Sequence, residues 1–177
     1  MKKVAIMFAA MVGLMQLPVQ ATAQKQVKRM SSGAYYQVYN NAYTKHEHKK
    51  YAEAFPDLLK YAQYGEKIAQ YLVGTYMVTG TGTEQNIFEG LVWMGVALEQ
   101  EDPIWQRAHA KIYDQLKPEQ KAAVDKAVAE RKALFGADAQ MMTCKVQPIK
   151  IGTLIRTHRC NKDKDVAGYV SVVDYPQ

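Results

Sequence analysis

The chain has 177 residues, of which 48% are hydrophobic, so it is long enough to bury a core of ordinary domain size. It carries 23 Lys+Arg against 17 Asp+Glu, a net charge of +6. The charges are scattered, with His46-Glu47-His48-Lys49-Lys50 the densest cluster, and no basic stripe tracks a nucleic-acid backbone.

The first residues read as an export signal. Lys2 and Lys3 precede the apolar run Val4 to Met15, Gln16 and Pro18 break it, and Ala21-Thr22-Ala23 has the small-x-small form of a cleavage site. The run falls short of the roughly 20 apolar residues of a spanning helix. Cleavage between Ala23 and Gln24 makes 1–23 a signal peptide, and two of the six net positive charges leave with it. The address is the periplasm or the outside, and no later segment reaches spanning length.

Residues 24–33 are polar and read as a flexible leader, with Ser31-Ser32-Gly33 able to start a helix. Tyr35, Tyr39, Ala42 and Tyr43 then fall on one face of a first helix reaching about Glu47. Phe55, Leu58, Leu59 and Ala62 give the same stripe over a second, Tyr51 to Tyr64, with Pro56 either kinking it or marking the first turn of a shorter one. Gly65 stops it. Ile68, Ala69, Leu72, Val73 and Tyr76 predict a third helix over 66–79, ended by the turn Gly80-Thr81-Gly82-Thr83. A fourth runs from Ile87 to Gln100, Asp102-Pro103 opens a fifth to about Leu116, and Pro118 opens a sixth to Phe135, closed by Gly136. After Gly136 short β-like stretches appear at 145–147, 149–151 and 154–156, and Val170, Val172 and Val173 suggest a last strand.

Cys144 and Cys160 are the two cysteines, and an even count in an exported chain reads as one disulfide. Closing that loop stabilises the fold by about 3 kcal/mol in the chain-entropy model. The expected organisation is therefore an all-α fold, a short α-solenoid of antiparallel helix hairpins over 34–136. A small disulfide-stapled C-terminal β-hairpin or irregular arm follows over 137–177.

The helices carry an internal period. A shift of 36, from Gln70 to Gln106, also sets Ala62 on Leu98, Leu58 on Met94, Phe55 on Leu91 and Ala54 on Gly90. The first unit offers Ala54, Tyr61-Ala62, Gly65, Ala69-Gln70-Tyr71, Gly74, Tyr76-Met77, Gly80 and Gly82, and Trp93 and Ala97 open the next. In these positions the chain resembles the Sel-like repeat family, relatives of the tetratricopeptide repeats, over Lys50 to Leu116. Asp57 stands where that family has Trp, Gly90 where it has Ala, and the second unit lacks the Gly-x-Gly turn. The resemblance implies helix hairpins that stack on their neighbours, with Trp93 packing between them, and a role in protein–protein scaffolding of envelope complexes. Disulfide-rich members linked to β-lactam binding carry a Cys pair in each repeat. Both repeats here lack Cys, so that activity is not carried over.

The chemical motifs are sparse. His46 and His48 sit at i and i+2, pointing to different helix faces, and read as a solvated turn, not metal ligands. Glu53, Asp57 and Glu66 form no spaced acid pair with a base, and Gly80-x-Gly82 lacks the Lys-Ser/Thr of a phosphate loop. No catalytic residue, metal or cofactor is expected. Twelve tyrosines are many for this length, and most are expected to pack between helices. Tyr36, Tyr39, Tyr43, Tyr61 and Tyr64 are the candidates for partner contact, since aromatic side chains make good anchors. The expected function is a non-catalytic, exported protein-interaction module of the bacterial envelope. The alternative is a periplasmic inhibitor or immunity-type protein that binds a toxin or wall-active enzyme.

Overall fold

The computed structural model describes residues 25–148 and 156–175. The expected signal peptide at 1–23 and the β-like stretches at 149–151 and 154–155 lie outside them. Six helices fill the middle of the described chain: α1 (Ser32–Glu47), α2 (Tyr51–Gln63), α3 (Lys67–Thr79), α4 (Ile87–Ala97), α5 (Pro103–Tyr113) and α6 (Pro118–Phe135). A 3-10 turn, Leu98–Gln100, extends α4. Four strands lie at the two ends: β1 (Gln26–Ser31), β2 (Met142–Pro148), β3 (Arg156–Lys162) and β4 (Tyr169–Asp174).

Local chemistry sets most helix ends. Ser31, Asn86 and Asp102 cap α1, α4 and α5 by accepting from the amides of Ala34, Glu89 and Ile104. Pro103 and Pro118 occupy first-turn positions, where a missing N–H costs nothing. Gly80 ends α3 in the left-handed region, φ 70°. Pro56 does sit inside α2. The carbonyl it leaves without an amide is that of Ala52, which is exposed to water, so the helix runs on.

The core lies where α1, α2 and α3 meet. Tyr35, Leu58, Ala62, Val73 and Tyr76 are buried there with Ala54, Ala69 and Trp93. Within the next helix Ala97 is fully buried too. α3 and α4 approach most closely through a pair of glycines. A β-carbon on Gly74 would stand 2.6 Å from Met94 Cγ and 2.7 Å from the carbonyl oxygen of Gly90. A β-carbon on Gly90 would stand 2.6 Å from Val78 Cγ2 and 2.7 Å from the carbonyl of Gly74. Gly90, a departure from the repeat pattern, is the partner that Gly74 requires. The Gly80–Gly82 turn is held down too, with Gly82 (φ 72°) against the backbone of Tyr51 and Ala52.

Four expectations need correction. The fold is not all-α: besides the expected disulfide-stapled hairpin, β2–β3, a second antiparallel two-stranded sheet, β1–β4, accompanies the helices. The stretch expected as a flexible leader is mostly β1, registered from Gln26 opposite Asp174 to Ser31 opposite Tyr169. Its sequence lacks apolar alternation because most of its side chains are exposed. The tail is not a separate arm either. Val170 and Val172 of β4 are buried in the same core as Tyr35 and Leu58, because alternate residues of that strand face α1. Finally, Gln106 does not repeat Gln70: Gln70 is fully buried and Gln106 exposed. α5 buries no residue fully, while α6 packs on α4 and contributes the buried Val124.

The glycine crossing gives a direct test. Gly74→Ala and Gly90→Ala should each lower stability by about 1–3 kcal/mol through overpacking, read as a lower urea midpoint. Gly33→Ala, with nothing within 4 Å of the added carbon, should be neutral or stabilising.

Candidate functional site

The disulfide Cys144–Cys160 forms as expected, between residues directly opposite each other on β2 and β3. It is one fixed edge of a polar cluster that links the helices to the tail. Lys67 opens α3 with its side chain 1% exposed, and its ammonium donates to Glu99 Oε2 at 2.6 Å and Gln70 Oε1 at 3.1 Å. Glu99 Oε2 also accepts from the amide of Ala137 at 2.9 Å, just past α6. Gln70 spends its own amide on the carbonyls of Ala62 (2.9 Å) and Phe135 (2.7 Å). Burial lowers the Lys67 pKa even though Glu99 pulls the other way.

A second cluster stands beside it. Gln140, fully buried, donates to the carbonyls of Leu134 and Val173 and accepts from the amide of Val173. Lys162 donates to the Gln140 carbonyl, and burial pushes its pKa down to about 8, a shift that Glu66 partly offsets. The Glu66 carboxyl is raised by burial, against the pull of Tyr35, Lys162 and Lys67. Tyr35 donates to Glu66 Oε1 at 2.8 Å, and burial with that carboxylate raises its phenol well above the ordinary range.

Between these clusters opens a cleft of about 370 Å³. Tyr36, Tyr39 and Asn40 of α1 form one wall, and Glu66, Lys67 and Ile68 form a second at the start of α3. Gln100, Asp102 and Trp105 form a third around the start of α5. Thr157, Arg159 and Asn161 of β3 close the cleft, with Cys160 behind them. These three share one face of the strand by alternation. Gln100 fixes the strand by accepting from the Cys160 amide at 3.0 Å. Trp105 is stacked on Tyr71, 4.7 Å between centroids and 8° between planes.

Of the five tyrosines expected at a contact surface, the cleft brings together two, Tyr36 and Tyr39. Tyr36 is half-buried, with Lys164 Nζ 5.6 Å from its ring centroid. Tyr61 and Tyr64 are core residues instead: their rings pack edge to face, and Tyr61 donates to the Tyr35 carbonyl at 2.7 Å. Their phenols are both pushed up to about 12, chiefly by burial. Tyr43 is exposed and lies beside His46, away from the cleft. His46 itself is not in a solvated turn, since its Nδ1 lies 2.7 Å from Tyr76 Oη. Sequence reading missed Lys67, Glu99 and Lys162, because a buried charge looks like any surface charge until its partner is known, and it missed Gln140, whose partners lie on the end of α6 and on β4. Among the described residues no group of three His, Cys, Asp or Glu side chains is placed to hold a metal ion.

The buried groups set a pH profile. Between about pH 8 and 10 the unfolded chain keeps a proton on Lys162 that the folded chain has released, so stability rises with pH. Above pH 10 the unfolded tyrosines ionise while Tyr61, Tyr64 and Tyr76, held near 12, do not, so stability falls. Urea unfolding from pH 7 to 11 should show this maximum. Lys162→Met should remove about 2–3 kcal/mol of the rise and leave the alkaline fall.

No family model matches the chain, and no curated protein does. Among solved structures it is similar to a protective antigen present in uropathogenic Escherichia coli strains, described as displaying an SLR fold. The identity is 17% and the TM-score 0.45, and the match covers 58% of this chain. It spans 23% of the antigen, less than a quarter of that protein's length.

Proposed function

We propose that this protein is an exported, non-catalytic protein-interaction module of the bacterial cell envelope, built on helix hairpins of the Sel-like repeat type. The observation that carries the reading is a mainly apolar groove between α4 and α6, about 330 Å³, where Ile87, Phe88, Leu91, Leu116, Ala123 and Val124 surround the single polar side chain of Gln120. Phe88 is 43% exposed and Ile87 45%, although the rest of α4 from Gly90 onward is buried. A row of large apolar side chains beside an open groove is the usual mark of a partner surface. A neighbouring depression shares Phe88 and Ala123 with the groove and is charged, with Arg131 paired to Glu89 at 2.8 Å and Lys126 to Glu130 at 3.8 Å.

Two further points support the reading. Among the strongly shifted groups, Lys67, Glu66 and Tyr35 already have partners inside the fold, and Tyr39 is shifted chiefly by burial, so these shifts need no catalytic explanation. The N-terminal pattern of Lys2-Lys3, an apolar run and Ala21-Thr22-Ala23 supports export, and both cysteines are paired. Among the described residues no helix is long and apolar enough to cross a membrane.

The full chain, expressed in a bacterium with its own leader, should be recovered from the periplasm with Gln24 first and no free thiol by mass spectrometry. Crosslinking in that extract should capture a protein partner, and Phe88→Asp should abolish capture with the unfolding midpoint nearly unchanged. Retention of Met1, or equal capture by the variant, would contradict the reading.

A further inference from the structure

The hairpin β2–β3 is a sheet of two strands, so each strand has one edge that the other does not use. On β3 that edge is occupied: the Cys160 amide points away from β2 and donates to Gln100 Oε1 at 3.0 Å. In an antiparallel ladder the N–H and C=O of a residue point the same way, and directly opposite residues either exchange both bonds or neither. Cys144 stands directly opposite Cys160, so this pair has no ladder bonds, in keeping with Cα atoms only 3.9 Å apart. The N–H and C=O of Cys144 therefore point away from β3. By the two-residue period those of Met142 and Val146 do the same. Met142 spends its amide on the Ala137 carbonyl at 2.9 Å. Cys144 and Val146 have no backbone partner on this edge among the described residues, and Val146 is 57% exposed.

The side chains along the edge set what can pair with it. Lys145 lies directly opposite Arg159, both are exposed, and neither enters an ion pair among the described residues. Like charges directly opposite each other destabilise a sheet. The acid just past β3, Asp163, accepts from the Thr143 hydroxyl. A strand added to β2 makes its ladder bonds at Cys144 and Val146 and meets Lys145 in the closer, non-bonded type of pair. The residue it places there faces Lys145, with Arg159 one strand further along the same row, which selects a carboxylate. On the other face the strand covers Val146, which selects an apolar neighbour. Pro148 has no N–H and ends the ladder after Val146. Lysine and proline are ordinary guards of an open edge. Here they leave it open to a short strand that brings its own acid, whereas a second copy of β2 would bring a second lysine.

We infer that the open edge of β2 takes up an extended peptide segment of a partner protein as an antiparallel third strand, one in which an acidic residue is flanked by apolar ones. Cys144 and Val146 supply the backbone bonds, the Lys145–Arg159 row takes the carboxylate, and Val146 packs on an apolar side chain. The disulfide ties β2 to β3 at Cys144, so the edge is held in place before the partner arrives. The edge shares no residue with the groove between α4 and α6, so neither reading falls with the other.

The test is a titration of the isotope-labelled protein, followed by NMR, with three blocked peptides that differ at one residue: acetyl-Thr-Val-Glu-Val-Thr-amide and its Gln and Lys counterparts. The Glu peptide should shift the Cys144 and Val146 amides saturably and slow their hydrogen exchange. It should bind about tenfold more tightly than the Lys peptide, with the Gln peptide between them, and high salt should narrow the gap. Lys145→Glu should reverse that order. Val146→Pro should abolish binding of all three peptides with the unfolding midpoint nearly unchanged, since β3 does not use the Val146 N–H. Equal binding of the three peptides, no shift at Cys144 and Val146, or full affinity in Val146→Pro would overturn the inference. Shifts of these amides with protein concentration alone would assign the edge to a second copy and overturn it too.

Discussion

An ammonium group taken out of water requires an anion, and in this protein Lys67 finds it in Glu99. The pair closes at 2.6 Å between the start of α3 and the turn that ends α4. Removing one partner of a buried pair typically costs about 3–5 kcal/mol, and the partial exposure of Glu99 puts this pair at the lower end. The same carboxylate holds the Ala137 amide, so the chain leaves α6 at a fixed point. Gln100, next to Glu99, holds the Cys160 amide and so seats the disulfide hairpin. One ion pair thus sets where the helices end and where the tail begins.

The second constraint is the meeting of the two ends of the described chain. β1 precedes the helices and β4 follows the hairpin, yet they pair along their whole length. Lys28 with Asp174 and Arg29 with Asp165 add charged contacts across that ribbon. Val170 and Val172 place its inner face against α1, and Gln140 stitches its last residues to the end of α6. The helical stack is therefore closed by a strand pair on one side and by the stapled hairpin on another. The cleft forms where these closures leave a gap.

Much of the helical part was legible. The bounds of α6, Pro118 to Phe135, follow from a proline at one end and a glycine just past the other. The stripes of α2 and α3 gave Leu58, Ala62, Ala69, Leu72, Val73 and Tyr76 as core, and all six are buried, whereas Ile68 of the same stripe is 42% exposed. The disulfide followed from the even cysteine count and the expected export. β1 was not legible, because Gln26-Val27-Lys28-Arg29-Met30-Ser31 has no one-sided apolar pattern and its partner lies at the far end of the chain. The period of 36 was real in the letters but not in the packing: Gln106 lacks the carbonyls that Gln70 binds, so α6 covers α4 where a second repeat was expected. Of the cleft, the sequence offered Tyr36 and Tyr39 as aromatics. Lys67 and Arg159 gave no signal, since burial and strand alternation decide their roles.

Native-state hydrogen exchange on the protein and on Glu99→Gln tests most directly whether the helices and tail are one cooperative unit. The amides of Val73 in α3, Cys160 in β3 and Val172 in β4 should lose protection together and by the same free energy. Loss confined to Cys160 and Val172, with Val73 as protected as before, would show the tail to be an independent arm and contradict the central role given to the Lys67–Glu99 pair.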